Sequence, residues 1–334
     1  MNLSVLDRSV GLEFEATASN LNRGPVCLLQ ELDSPIKKEP FGGITLDAGS
    51  DQVEIVTNPS KDLRDHYGEF RDLHDRTTKL KEGIKLHFVP RRPANLPKAT
   101  FDDWKKPRLK ALRDALARSD EGGEYGGEVL WSGDINAFHI HFGVSDVCTD
   151  EANTICCALN AAAPAILEYV HDRFKIPQVS RNEVWARFAR KERLPAPRWF
   201  GEFSDMREFF ESIPRLIAPV SDSCNKHTGG WVEDCVQLQN FQDPAAAGTC
   251  WWTVRPRPAY NTVEFRPLPA FLNPRFALHA VKEIDGWLSE TLNSIGSRQF
   301  ASFQEATNSG HIPDFKGIAL PRSEEEWWQR WRQF

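Results

Sequence analysis

The chain has 334 residues, enough for one large domain or two small ones with a substantial core. It carries 41 basic and 47 acidic residues, a net charge of -6, so bulk electrostatics give no reason to expect a nucleic-acid partner. No apolar run approaches the ~20 residues that cross a bilayer, residues 1–8 have neither a basic nor an apolar leader segment, and the seven cysteines include no C-x-x-C pair, so a cytoplasmic protein with reduced thiols is expected.

Residues 10–17, Val-Gly-Leu-Glu-Phe-Glu-Ala-Thr, alternate as a strand. Leu12 and Phe14 take one face, Glu13 and Glu15 the other. The two glutamates fit a solvated surface, or a pair of hard oxygen ligands suited to Mg²⁺. Residues 42–57 predict a hairpin turning at Ala48-Gly49-Ser50-Asp51, with Asp47 at its edge and Glu54 in its second strand. Asn58-Pro59-Ser60 ends that strand and can start a helix. Leu63, Tyr67, Phe70, Leu73 and Leu80 then recur at helical spacing over residues 61–82. Residues 84–89 predict another strand. Residues 95–107 are irregular, a short basic helix follows to about residue 118, and 119–128 form a glycine-rich loop with the character of a lid.

Residues 138–144, Phe-His-Ile-His-Phe-Gly-Val, place His139 and His141 on one strand face against Ile140 and Phe142. Two imidazoles side by side fit a structural pair or a metal or phosphate site. A helix is expected from the Thr149-Asp150 cap to about Phe174, striped by Ile155, Leu159, Ile166 and Val170, with Pro164 as a kink. Trp251 to Arg257 and Asn261 to Arg266 are the densest chemistry in the chain. Arg255 shares a face with Arg257, and Glu264 with Arg266, opposite Val263 and Phe265. Ionised groups cost several kcal/mol each to desolvate unless paired or ion-bound. Either this is a polyanion site, with Glu264 on a metal and arginines on phosphate, or an exposed edge strand with surface ion pairs. Asn273-Pro274 supplies an N-cap and a proline at the first helical position. The following helix, to about Ile295, carries Leu278, Val281, Ile284, Leu288 and Leu292. A tryptophan-bearing helix is expected over 323–334, and no internal repeat or interdomain linker is visible, so residues 1–334 are taken as a single catalytic domain.

If these strands join in one sheet, their acidic side chains cannot all stay ionised side by side. Either their pKa values rise or cations neutralise them; multiple Mg²⁺ ions, at least two for acidic groups this numerous, with arginines balancing a nucleotide's phosphates, would resolve that conflict.

The order Gly11-Leu-Glu-Phe-Glu15, Asp47 with Gln52-Val-Glu-Ile-Val-Thr57, His139-Ile-His-Phe-Gly143, and Trp251-Trp-Thr-Val-Arg-Pro-Arg257 with Thr262-Val-Glu-Phe-Arg266 resembles the carboxylate–amine ligases of the type-2 glutamate–cysteine ligase group, and more distantly the amidoligases. The resemblance covers about residues 10–270. It implies an α+β fold with glutamine-synthetase-like catalytic architecture, in which a curved antiparallel sheet carries the site in its concavity and helices pack outside. It further implies an ATP-dependent ligase using Mg²⁺ or Mn²⁺ and joining a small carboxylate to an amine through an acyl phosphate. Glu13, His139 and Glu264 would hold one metal; Glu15 and Glu54, with Asp47, another. Arg255 and Arg257 would take nucleotide phosphates, Arg266 the transferring group, and His141 would stand near phosphate. A guanidine phosphotransferase on related architecture and a binding protein on a decayed ligase fold are the competing readings. A glycosidase also pairs carboxylates but has no need of His139, Arg255 and Arg257. Neither nucleic acid nor membrane is an expected partner, and the two substrates' identities and the oligomeric state, self-association included, stay open.

Overall fold

The computed structural model describes residues 4–20, 24–25, 41–46, 52–79, 83–90, 92–93, 96, 136–144, scattered positions between 155 and 174, 254–257, 260–298 and 315. Asp47, the turn at 48–51, the loop 119–128, Pro164, the tryptophans at 251–252 and the expected helix at 323–334 lie outside them, as does the side chain of Arg255.

The described residues form an α+β fold built on one open, nine-stranded antiparallel sheet. Its strands are β1 (Val5–Asn20), β2 (Gly24–Pro25), β3 (Gly43–Leu46), β4 (Gln52–Val56), β5 (Ser60–Asp62), β6 (Ile84–His87), β7 (Ala137–Gly143), β8 (Val254–Arg257) and β9 (Thr262–Pro269). The main path runs β3-β4-β1-β7-β9-β8, and β2, β5 and β6 pair with the long β1. Two continuous helices, α1 (Leu63–Lys79) and α2 (Pro274–Arg298), are described, and described positions between 155 and 173 are helical. No helix among the described residues is long and apolar enough to cross a membrane.

Strict alternation sorts the sheet into two chemical faces. Leu12, Phe14, Val53, Ile55, Phe138, Ile140, Phe142, Val254, Val263 and Phe265 are all buried in one core with the helices. Phe14 anchors it, its ring 4.6 Å from Phe70 of α1 and 4.8 Å from Phe138. The opposite face of the same strands carries Glu13, Glu15, Glu54, His139, His141 and Glu264. With helices on one face, the polar chemistry is left to the other.

Two features differ from simple expectation, one helix boundary and one strand register. Residues 60–62 are a strand, not the start of a helix, and α1 begins at Leu63. Asp62 is the reason: its carboxylate accepts the Arg64 backbone N–H at 2.8 Å, satisfying one of the free donors of the first turn. Asn273 does the same for α2, accepting the Arg275 N–H at 2.9 Å, so the helix starts at Pro274 as the Asn-Pro signal implies.

The second departure lies in β9. Pairing with β7 runs Ile140 opposite Phe265, then Phe138 opposite Leu268, so Arg266 and Pro267 together face the single residue between Ile140 and Phe138, His139. This is a β-bulge, and proline belongs there because it has no N–H to give the ladder. Its effect is local: Leu268, which simple alternation would place beside Glu264 and Arg266, joins the core instead.

Candidate active site

The register brings the candidate residues into rows across the polar face. Gly11 stands opposite His141, His141 opposite Glu264, and Glu264 opposite Arg255. One step along, Glu13 faces His139; a further step, Glu15 faces Glu54. Like charges directly opposite one another destabilise a sheet, so the Glu15–Glu54 pair is not a choice made for folding.

Glu13 sits at the centre. One carboxylate oxygen, Oε2, accepts from His139 Nδ1 at 2.9 Å, and the other, Oε1, accepts from His141 Nε2 at 2.9 Å. His139 Nε2 lies 3.6 Å from Glu15, and its Nδ1 is 3.8 Å from Glu264. Glu264 is 1% exposed and is bracketed by guanidiniums, with Arg266 Nε 3.2 Å from Oε1 and Arg257 Nη1 3.7 Å from Oε2. Glu13, His141 and Glu264 can each offer one ligand atom, all within 4.8 Å of one another. The sequence expectation set His139 with Glu13 and Glu264, and His139 Nδ1 lies 2.9 Å from Glu13 and 3.8 Å from Glu264; the three donors within 4.8 Å of one another include His141 instead, whose Nε2 is 2.9 Å from Glu13 and 4.0 Å from Glu264. Glu54 is half-buried on the same face. Arg255 is placed opposite Glu264 by its backbone alone.

This crowding perturbs the titrations. Burial pushes the Glu13 carboxyl up, but the charge of His141 and hydrogen bonds from both imidazoles outweigh it and hold the group well below its ordinary range. Burial pushes His139 down, but its bond to Glu13 and the Glu15 charge outweigh that and leave it raised. Arg257, desolvated but facing Glu264 and Glu13, is also raised. A depressed carboxylate adds stability above its unfolded pKa and loses it as pH falls through the folded value. A raised imidazole adds stability below its unfolded pKa and loses it as pH rises through the folded value. With reference values of 4.5 and 6.5, both contributions are complete between those two pH values. Metal-free wild type is therefore expected to gain stability relative to Glu13→Gln in that window and to lose the advantage on either side. Thermal melts of both proteins from pH 3 to 9 in chelator check it, and parallel curves would contradict it.

Several residues that shape the site were not singled out from the sequence. Thr262 Oγ1 lies 3.2 Å from His141 Nδ1, which fixes the ring's orientation. Its hydroxyl can accept or donate, so it serves either tautomer. Phe41 lies edge-on to His141, ring centres 5.7 Å apart, and packs on Tyr260. It reaches that position because Gly11 has no side chain: a Cβ there would meet the Phe41 ring at 3.1 Å. Tyr260 in turn lies under the Arg257 guanidinium at 5.0 Å from the ring centre. Gln52 and Asn136 join Glu15 in a buried hydrogen-bonded chain. A lone amide, hydroxyl or aromatic has no signature in sequence. The available signals were glycine at 11 within an otherwise full-sized strand and glutamine at 52 on the same parity as Glu54.

The chain is similar to a number of solved structures, two among them as follows. One is a bifunctional glutathione synthetase from Pasteurella multocida, with 17% identity and a TM-score of 0.47; the match covers 85% of this chain and 38% of that one. The other is a glutamate–cysteine ligase from Francisella tularensis, solved in complex with AMP, with 14% identity and a TM-score of 0.44, covering 98% of this chain and 77% of that one. The chain thus spans well under half the length of the bifunctional protein. No protein-family model matches the chain, and neither does any curated protein.

Proposed function

We propose that the chain is an ATP-dependent carboxylate–amine ligase on glutamine-synthetase-like architecture, similar in chemistry to glutamate–cysteine ligase and working in the cytoplasm. One observation carries this reading: Glu13, His141 and Glu264 converge within 4.8 Å on a buried sheet face, with Arg257 and Arg266 beside them. The donor set, two carboxylates and one imidazole, suits Mg²⁺ or Mn²⁺ and leaves coordination positions for phosphate oxygens and water. These three residues would hold one ion, within reach of His139. Glu15 and Glu54, with Asp47 in the family pattern, would hold the other. Once bound, the ions supply positive charge where negative charge develops on the phosphoryl oxygens.

The chain's own residues do the rest. Arg257, braced on Tyr260, and Arg255 take nucleotide phosphates. Arg266, beside Glu264 on the same strand face, grips the group in transfer through its planar fork. The substrate carboxylate oxygen attacks the γ-phosphorus of ATP, the bond to the β-phosphate bridge breaks, and ADP leaves. The amine then attacks the acyl-phosphate carbon, phosphate departs, and an amide forms with loss of the amine proton. His141, its ring fixed by Thr262 and Glu13, stands near the end where phosphate would bind. Exclusion of water protects the intermediate from hydrolysis.

The test is a screen for ADP release with Mg²⁺ and ATP across pairs of small carboxylates and amines. ADP and phosphate in equal amounts, only when both substrates are present, support the ligase. ADP with a stable phosphorylated product would favour a guanidine phosphotransferase, and failure to bind Mg-ATP would favour a binding protein. Two ions are expected per chain when Mn²⁺ is counted by EPR in the presence of a non-hydrolysable ATP analogue. One ion at saturation would remove the second site.

A further inference from the structure

Beyond the charged cluster, the polar face ends in three uncharged residues that are 0% exposed: Thr17, Gln52 and Asn136. Buried amides are costly unless every N–H finds an acceptor. Here the accounting closes. Gln52 Nε2 faces Glu15 Oε2 and Asn136 Oδ1, both at 3.4 Å. Asn136 Nδ2 donates to Thr17 Oγ1 and to the Val89 carbonyl, both at 3.0 Å. The four amide hydrogens therefore meet four acceptors. Asn136 is itself fixed from both sides, its N–H donating to the Pro90 carbonyl and its carbonyl accepting from Ala270, each at 3.1 Å. The chain of contacts ends on one oxygen of one carboxylate. Glu15 Oε2 accepts the Ala137 backbone N–H at 2.6 Å with the Gln52 amide alongside, while Oε1 is turned to His139 at 3.6 Å.

We propose that Gln52, itself held by Asn136, is a positioning residue that engages one oxygen of Glu15 and aims the other at the cation site it shares with Glu54. This rests on the ligase reading of the site. A glutamate at a sheet face has several rotamers, and a cation site needs one. The donors on Oε2 select that one and leave Oε1 as a single-atom ligand. An apolar residue at 52 would fill the sheet face equally well, which is why its amide points to the carboxylate it holds.

Gln52→Met keeps the length of the side chain and removes the amide. The probe is Mn²⁺ alone, titrated into the full chain and followed by EPR, with ADP release measured separately against Mn²⁺ concentration. Gln52→Met is expected to weaken the Mn²⁺ site by about 10–100-fold, the range for loss of a partner behind a metal ligand. The Mn²⁺ concentration for half-maximal rate should rise in step, with kcat at saturating Mn²⁺ within a few-fold of wild type. Leu288→Val, which trims the core on the other face of the sheet, is the control for lost stability. Equal Mn²⁺ affinity in Gln52→Met and wild type overturns the proposal, as does an equal loss in Leu288→Val. If Gln52→Met shows no cooperative melt, Thr17→Val and Thr17→Ser decide instead: Val should weaken Mn²⁺ binding several-fold and Ser should restore it, and identical affinities overturn the proposal. A wild-type chain that binds no Mn²⁺ overturns the ligase site itself, an outcome distinct from wild-type binding unaffected by these variants.

Discussion

Glu264→Gln is expected to lower turnover by at least ~10²-fold while the protein folds with a near-native melting temperature; Arg266→Lys is expected to do the same. The first exchange keeps the shape of the side chain and removes its charge. Glu264 is 1% exposed between two imidazoles and two guanidiniums, so its charge does more than fill space. Neither residue belongs to the apolar core, which is made on the other face by Val263 and Phe265. Loss of the carboxylate need not unfold the sheet, because Arg257 and Arg266 are 19% and 22% exposed and reach water. Lysine at 266 keeps a charge but not the fork that grips two oxygens. The two variants should differ in one respect. Glu264→Gln removes a ligand and should need more Mg²⁺ for half-maximal rate; Arg266→Lys should not. Steady-state ADP release against Mg²⁺, with thermal melts alongside, reads both effects. Wild-type turnover in both variants would remove these residues from the chemistry. A drop in melting temperature large enough to account for the lost activity would make them structural ion pairs.

The same electrostatics separate a site from a surface. An edge strand with exposed ion pairs leaves its charges in water, where each pair contributes little. Here Glu15, His139, His141 and Glu264 are all buried, and carboxylates occupy neighbouring rows of one face. Without cations, that arrangement relies on the two imidazoles and two arginines to balance it. Glu13 shows how strongly, since it bonds to both imidazoles at once. A face selected for stability alone would not concentrate charges and then bury them.

What the sequence disclosed, and what it hid, follows from which interactions are local. Period-two alternation is a local signal, and it identified the polar faces of β1, β4, β7 and β9 because those faces are charged and their backs apolar. It failed at Pro267, where strict parity would set Leu268 beside Glu264. The bulge is a property of the β7–β9 pairing, and a proline inside a strand was its only trace in the chain. Helix starts were legible where one residue supplies the cap, as Asn273 does. They were misplaced at 58–60, where Asn, Ser and Asp compete within five residues and only Asp62 has the geometry. Which imidazole completes a donor set with Glu13 and Glu264 was not legible, because His139 and His141 have the same parity and stand at similar distances from both carboxylates. Thr262, Gln52 and Asn136 act through partners distant in sequence, with Thr262 and His141 separated by 121 positions.

Leu288→Ala is expected to cost ~2–5 kcal/mol of stability with no effect on the chemistry of the folded protein. Leu288 is 0% exposed and lies on one stripe of α2 with Leu278, Val281 and Ile284, each at most 1% exposed. It belongs to one core with the apolar back of the sheet and described helical positions between 155 and 170. Truncation to alanine removes the transfer free energy of the lost carbons and leaves a cavity that close-packed neighbours only partly fill. The denaturant midpoint should therefore fall with little change in the slope, since the surface exposed on unfolding is nearly the same. Turnover per folded molecule should match wild type, because the polar face lies across the full thickness of the sheet from this helix. The pairing of the two results is what matters: Leu288→Ala loses stability and keeps chemistry, Glu264→Gln loses chemistry and keeps stability. An unchanged midpoint in Leu288→Ala would place that face of α2 in solvent, and would open to doubt the packing that leaves the other face of the sheet free to bind.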